Sequence, residues 1–156
     1  MRLRRDERGV TVVEAAFVIP LLFLFIFALI DIGLWVFETS QASSAARDGA
    51  RAGIVLKLAG TTSASGVAAN ETAIRDAVKA RLSEDRITSD NQIDITCLST
   101  TNVTIDCDDV IDGTSRLRVE VEWDRSFLTF VGGVFGGKQT ITGKATMVVV
   151  GRPAQG

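Results

Sequence analysis

Gly9 and Glu14 are the two residues near the N-terminus whose types and spacing could do chemistry. In Gly9-Val10-Thr11-Val12-Val13-Glu14, a small residue and a lone carboxylate stand at the mouth of the apolar run Ala15 to Ile30. A carboxylate in hydrocarbon costs roughly 2.5–3.5 kcal/mol at mid-span and less near an interface, so an acid kept there usually serves a purpose. A peptidase cutting after Gly9 would leave Val10 as a new α-amine, with Glu14 the fifth residue of the shortened chain. In a stack of such subunits the carboxylate can neutralise a neighbour's α-ammonium, relieving two costly charges together. The plainer alternative is an acid beside the headgroups of an ordinary anchor.

Other candidate chemistry is thinner. Cys97 and Cys107 are the only cysteines and there is no histidine, so one chain cannot assemble a zinc site of nitrogen and sulfur ligands. With a turn centred on Asn102, Cys97 falls opposite Cys107 and a hairpin disulfide is geometrically natural, as suits an oxidising compartment. Asp106, Asp108, Asp109 and Asp112 do not follow the spacing of a helix-loop-helix calcium site and read as a solvated acidic loop. Gly132 to Lys138 has the spacing of a phosphate-binding loop. Gln139 stands where Ser or Thr should hold magnesium, however, and a strand follows where a helix N-terminus is needed, so nucleotide binding is rejected.

Composition narrows the function classes. A chain of 156 residues holds one modest domain and an anchor. The formal charge of −2, without a basic stripe beyond the N-terminal head, argues against nucleic acid. With no histidine, no tyrosine and no catalytic constellation, the reading is of a protein that is not an enzyme and takes no metal or cofactor.

The elements that position these residues follow from periodicity. Arg2, Arg4, Arg5 and Arg8 make a positive head that keeps the N-terminus cytoplasmic and sends the C-terminus across the membrane. Residues 10–30 form a helix of about 31 Å, the thickness of a bilayer's hydrocarbon. Pro20 predicts a kink, and Asp31 lies just beyond the span, facing headgroups, water or another subunit. The helix continues to residue 58, with a stripe of small residues at Ala42, Ala46, Gly49, Ala50 and Gly53. Another helix could approach that stripe closely, or the chain's own domain could cover it. Residues 59–70 read as a linker, and Glu71 to Ser83 as a short amphipathic helix capped by Asn70, with Ile74, Ala77, Val78 and Leu82 on one side. Ile93 to Cys97, Val103 to Cys107, Leu117 to Trp123 and Ile141 to Val149 alternate as strands, Gly143 being a weak point. The expected fold is α+β: a long transmembrane helix running into a domain at 71–151, with a short helix on an antiparallel sheet and a tail at 152–156.

The N-terminal motifs together resemble a known family. Gly9 to Glu14, Ala15-Ala16-Phe17-Val18-Ile19-Pro20-Leu21-Leu22, Asp31-Ile32-Gly33 and Ala45-Ala46-Arg47-Asp48-Gly49-Ala50-Arg51 look like the start of TadE-like pseudopilins of the bacterial tight-adherence (Tad, Flp) pilus apparatus. The resemblance covers residues 9–53; Ala15 departs from it, since an aromatic residue often follows the glutamate. It implies residues 1–9 as a leader removed between Gly9 and Val10 by a prepilin peptidase, with Glu14 important for processing or assembly. It further implies a minor pilin-like subunit in the inner membrane, its domain periplasmic, acting with other pilins and an assembly platform in pilus initiation or at the tip. Loss of the leader removes four Arg, one Asp and one Glu, so the charge becomes 13 minus 17, or −4. The competing reading is an uncleaved single-span anchor carrying an extracytoplasmic binding module.

Overall fold

A computed structural model describes residues 7–58, 64–82, 86–107, 115–127 and 137–149. The first six residues of the expected leader 1–9, the acids Asp108, Asp109 and Asp112, most of the glycine-rich connection and the expected 152–156 tail lie outside the described residues. Helix α1 spans Glu7–Leu58 and α2 Ala64–Arg81; a 3-10 turn at Asp90–Gln92 leads into the strands β1 Ile93–Leu98, β2 Thr104–Ile105, β3 Arg116–Ser126 and β4 Lys138–Val148. The strands form one sheet in the order β2-β1-β3-β4. The architecture is a long apolar N-terminal helix followed by a small domain with a short helix and a four-stranded antiparallel sheet.

By internal contacts the chain divides into two units, Met1–Val36 with Ser126–Gln139, and Phe37–Arg125 with Thr140–Gly156. In the first, α1 runs through Pro20 without a break. Its side chains are apolar and mostly exposed, among them Phe17, Leu21, Leu22, Phe25 and Leu29, and the rings of Phe23 and Phe27 stack with centroids 6.0 Å apart. A helix this long and apolar meets the requirements for crossing a membrane once. Asp31 departs from the expectation of an acid facing headgroups or water, because it is buried at 4% exposure.

In the second unit, alternation places Leu117, Val119, Val121 and Trp123 of β3 on one face with Ile93 and Cys97 of β1 and Ile141 and Ala145 of β4, all buried. Antiparallel pairing of Ile93 with Val121 and Cys97 with Leu117 keeps that face continuous. Ile74, Val78 and Leu82 of α2 join the same core, together with Ala42, Ala45, Ala46 and Ala50 of α1. On the opposite face Asp94 sits directly across from Glu120, a like-charge pair relieved by Lys144, whose Nζ lies 2.8 Å from Glu120 Oε2.

Two expectations are corrected. The second helix starts at Ala64, so Asn70 lies inside it and not at its cap, and the expected linker 59–70 is helical over its second half. Ala64, Ala68 and Ala69 supply the helix propensity that the accompanying Ser and Gly obscure. The hairpin register also differs: Cys97 pairs with Ile105, not with Cys107. Asn102 adopts φ 62°, Asn102 N–H donates to Ser99 O at 2.9 Å and Ser99 N–H to Val103 O at 2.8 Å. This is a three-residue loop closed by a left-handed residue, a conformation Asn tolerates, and it centres the hairpin on Thr101.

Candidate functional site

At the N-terminal end, the Gly9–Val10 peptide bond lies within the described helix α1, Glu7–Leu58. Gly9 is exposed, and a Cβ placed on it would meet nothing within 4 Å. Val10 and Glu14 are four residues apart on this helix and therefore on one side of it. Glu14 is exposed and Val12 and Val13 are 68% and 60% exposed. A carboxylate at this place is open to a cation brought by another chain.

The small-residue stripe lies further along. Ala42, Ala46 and Ala50 are fully buried, and Gly49 and Gly53 are buried beside them. A Cβ on Gly49 would lie 2.6 Å from Val78 Cγ2, and one on Gly53 would lie 2.5 Å from Leu117 Cδ2 and 2.8 Å from Ile74 Cδ1. The close approach that these residues permit is thus taken up by the chain's own α2 and sheet. Gly143, which reads from sequence as a weak point in its strand, is the contact point from the other side. A Cβ there would fall 2.2 Å from the carbonyl carbon of Ala42 and 2.4 Å from its oxygen, so α1 crosses β4 backbone against backbone. Arg47 and Arg51 remain exposed on the outer side of α1, while Asp48 reaches Arg81 of α2 at 3.4 Å.

One charged cluster is not legible in the sequence. Glu38 is 13% exposed and lies 3.4 Å from Arg125 Nε at the end of β3 and 3.7 Å from Arg86 Nη2; Arg86 also donates to Gln41 Oε1. These residues come from three separate stretches, so no periodicity or spacing announces them. Together they tie α1 to the sheet's end by charge, as Gly143 ties it by shape. At the opposite edge, Cys97 and Cys107 form a disulfide with Cα atoms 5.2 Å apart. Because Cys97 pairs with Ile105, the bridge runs diagonally across the hairpin and holds the chain just past the two-residue strand β2.

Around the 3-10 turn, Arg75 Nη1 donates to Asp90 O at 2.7 Å and Ile93 O at 2.9 Å, and Lys79 Nζ donates to Asp90 Oδ1 at 2.7 Å. The hydrogen bond from Lys79, followed by its charge, holds the Asp90 carboxyl below the usual carboxylate range. These contacts seat α2 on β1 and have no chemistry of their own.

An apolar helix carrying Gly9 and an exposed Glu14 at one end, with its own domain docked on Ala42 to Gly53 at the other, matches one family model, that of TadE-like protein, over residues 9–51. Residues 9–51 are TadE-like. The match therefore covers the helix through Gly49 and Ala50 and stops before Gly53, α2 and the sheet. TadE-like proteins are a structural family associated with the Tad pilus and its components. No curated protein and no solved structure matches the chain.

Proposed function

We propose that this chain is a minor pilin-like subunit of a Tad/Flp pilus assembly system, processed after Gly9 and acting in pilus initiation, assembly or a tip complex. The observation that carries the reading is the TadE-like match, which lies on a helix apolar and long enough to span a bilayer. The positive head keeps the N-terminus in the cytoplasm, residues 10–30 cross the inner membrane, and the α2-and-sheet domain lies in the periplasm. Its partners are a prepilin peptidase, the other pilins and pseudopilins of the apparatus, and the inner-membrane assembly platform.

Each end of α1 has a separate task in this reading. With Ala42, Ala46, Gly49, Ala50 and Gly53 covered by the subunit's own domain, neighbouring subunits pack on the apolar span. There Glu14 meets the α-ammonium of a neighbour's Val10, since an exposed carboxylate at the membrane face is costly until it finds a cation. N-terminal sequencing of the protein extracted from membranes tests the first step: the expected first residue is Val10, and Met1 or Arg2 would support an uncleaved anchor instead. Replacing Gly9 with a bulky residue should abolish the accompanying loss of about 1 kDa, the mass of nine residues at the ~110 Da average. Glu14→Ala should impair complex formation with the other pilins; unimpaired assembly removes the charge-pair role.

A further inference from the structure

The Gly9–Val10 bond lies inside a helix, whereas a peptidase must draw its scissile bond into an extended strand within its active site. Gly9 and Val10 both lie within α1, so both residues flanking the bond have helical backbone. The helix must open locally before the bond can be cut, and proteolysis of a transiently opened segment tracks the population of the open form when opening is fast.

The residues over the bond make that opening easy. Gly9 has the largest backbone entropy to regain on unwinding, and Val10-Thr11-Val12-Val13 is an unbroken run of β-branched residues, which lose rotamer freedom in a helix. Glu14-Ala15-Ala16, immediately after, are strong helix formers. Packing does little to hold the weak stretch closed. A Cβ on Gly9 would meet nothing within 4 Å, and Val12 and Val13 are 68% and 60% exposed. A stretch of low helix propensity therefore lies at the bond to be cut, and strong helix formers follow it directly.

We infer that processing proceeds through local unwinding of α1 around the Gly9–Val10 bond, and that the run Val10 to Val13 sets how often this stretch opens. The inference rests on the reading that the chain is processed after Gly9. The reaction is hydrolysis: one water is consumed, the Gly9 C to Val10 N bond breaks, and the products carry a carboxylate on Gly9 and an ammonium on Val10. Val12 and Val13 act before this step, as determinants of substrate fitness and not as contacts to the reacting atoms.

The test compares isomeric side chains in the full-length protein, co-expressed with its peptidase and followed by pulse-chase and N-terminal sequencing. Val12→Leu with Val13→Leu raises helix propensity, and Val12→Ile with Val13→Ile keeps β-branching at equal size and near-equal hydrophobicity. The leucine pair should be processed about fourfold more slowly, about twofold per exchange, and the isoleucine pair at close to the parent rate. In the unprocessed chain in detergent, amides 10–13 should exchange faster than amides 16–19. Equal rates for the two pairs, or equal protection of the two stretches, would overturn the inference while leaving processing after Gly9 intact. A parent chain that keeps Met1 would overturn both.

Discussion

Gly143→Ala is the sharpest test of how α1 is held on the sheet. The new Cβ would stand 2.2 Å from the carbonyl carbon of Ala42, 2.4 Å from its oxygen and 2.6 Å from its Cβ. Ordinary carbon contacts begin near 3.5 Å, so the helix and β4 must separate by about 1 Å. A gap of that size already forfeits roughly a quarter to a half of the dispersion energy of each contact across it. Ala45 and Ala46, fully buried in the same core, share the loss. Overpacking alone costs roughly 1–3 kcal/mol, and here the obstacle is backbone, which cannot rotate away. The entropic gain of Ala over Gly returns only about 0.5–1 kcal/mol. With the obstacle placing the cost at the upper end of that range, a net destabilisation of about 2 kcal/mol follows, and at roughly 4–8 °C per kcal/mol for a domain of this size Tm falls by about 8 °C or more. The assay is thermal unfolding of the full-length protein in detergent, read by near-ultraviolet circular dichroism of the buried Trp123 environment. Two companions separate backbone from side-chain crowding. Ala42→Gly should not rescue Gly143→Ala, because the carbonyl carbon and oxygen remain; Val78→Ala should rescue Gly49→Ala, whose nearest obstacle is the Val78 methyl at 2.6 Å. A Gly143→Ala protein melting within about 2 °C of the parent would refute the close crossing, since a net cost of about 2 kcal/mol against an immovable backbone exceeds that shift.

Three further outcomes are expected. Glu38→Gln removes the carboxylate charge facing Arg86 and Arg125, whose side chains are 27% and 14% exposed, and should cost roughly 1–3 kcal/mol; a double-mutant cycle with Arg125→Met should show coupling of about 1 kcal/mol or more, and additive losses would mean that the cluster is incidental. Reducing the Cys97–Cys107 bridge releases a loop with a sequence separation of 10, worth about 2.5–3 kcal/mol on the chain-entropy relation, so a reductant-treated sample should melt clearly lower; unchanged melting would mean that the bridge constrains nothing. The lowered Asp90 carboxyl adds stability that is present above its unfolded pKa and lost as pH falls through its folded one. Lys79→Met should thus lower stability slightly at neutral pH and not at all once Asp90 is protonated, and a difference persisting in strong acid would place the effect of Lys79 elsewhere.

Local chemistry made part of this protein legible. A continuous apolar run as long as a bilayer is thick admits few structures other than a spanning helix, and strict alternation from Leu117 to Trp123 places one strand face in a core whatever covers it. Gly9 and Glu14 stand out as candidates for the same reason, because a small residue and a carboxylate are conspicuous against their neighbours. Turn chemistry was only half visible: Asn102 marked the bend, but its left-handed backbone and the pairing of Cys97 with Ile105 depend on how the loop closes. The start of α2 was obscured because Ser65 and Gly66 look like linker residues when propensity is summed over a short window.

Tertiary structure alone decided which surface the small stripe of α1 would meet. A row of Ala and Gly says that something approaches closely, and its spacing is the same whether the visitor is a neighbour or the chain's own domain. Val78, Leu117 and the backbone of β4 at Gly143 are what arrive, from segments far along the chain. Glu38 finds Arg86 and Arg125 in the same way, through contacts that no local period encodes. Periodicity records which face of an element is buried; the partner that buries it is set by the non-local fit of shapes and charges.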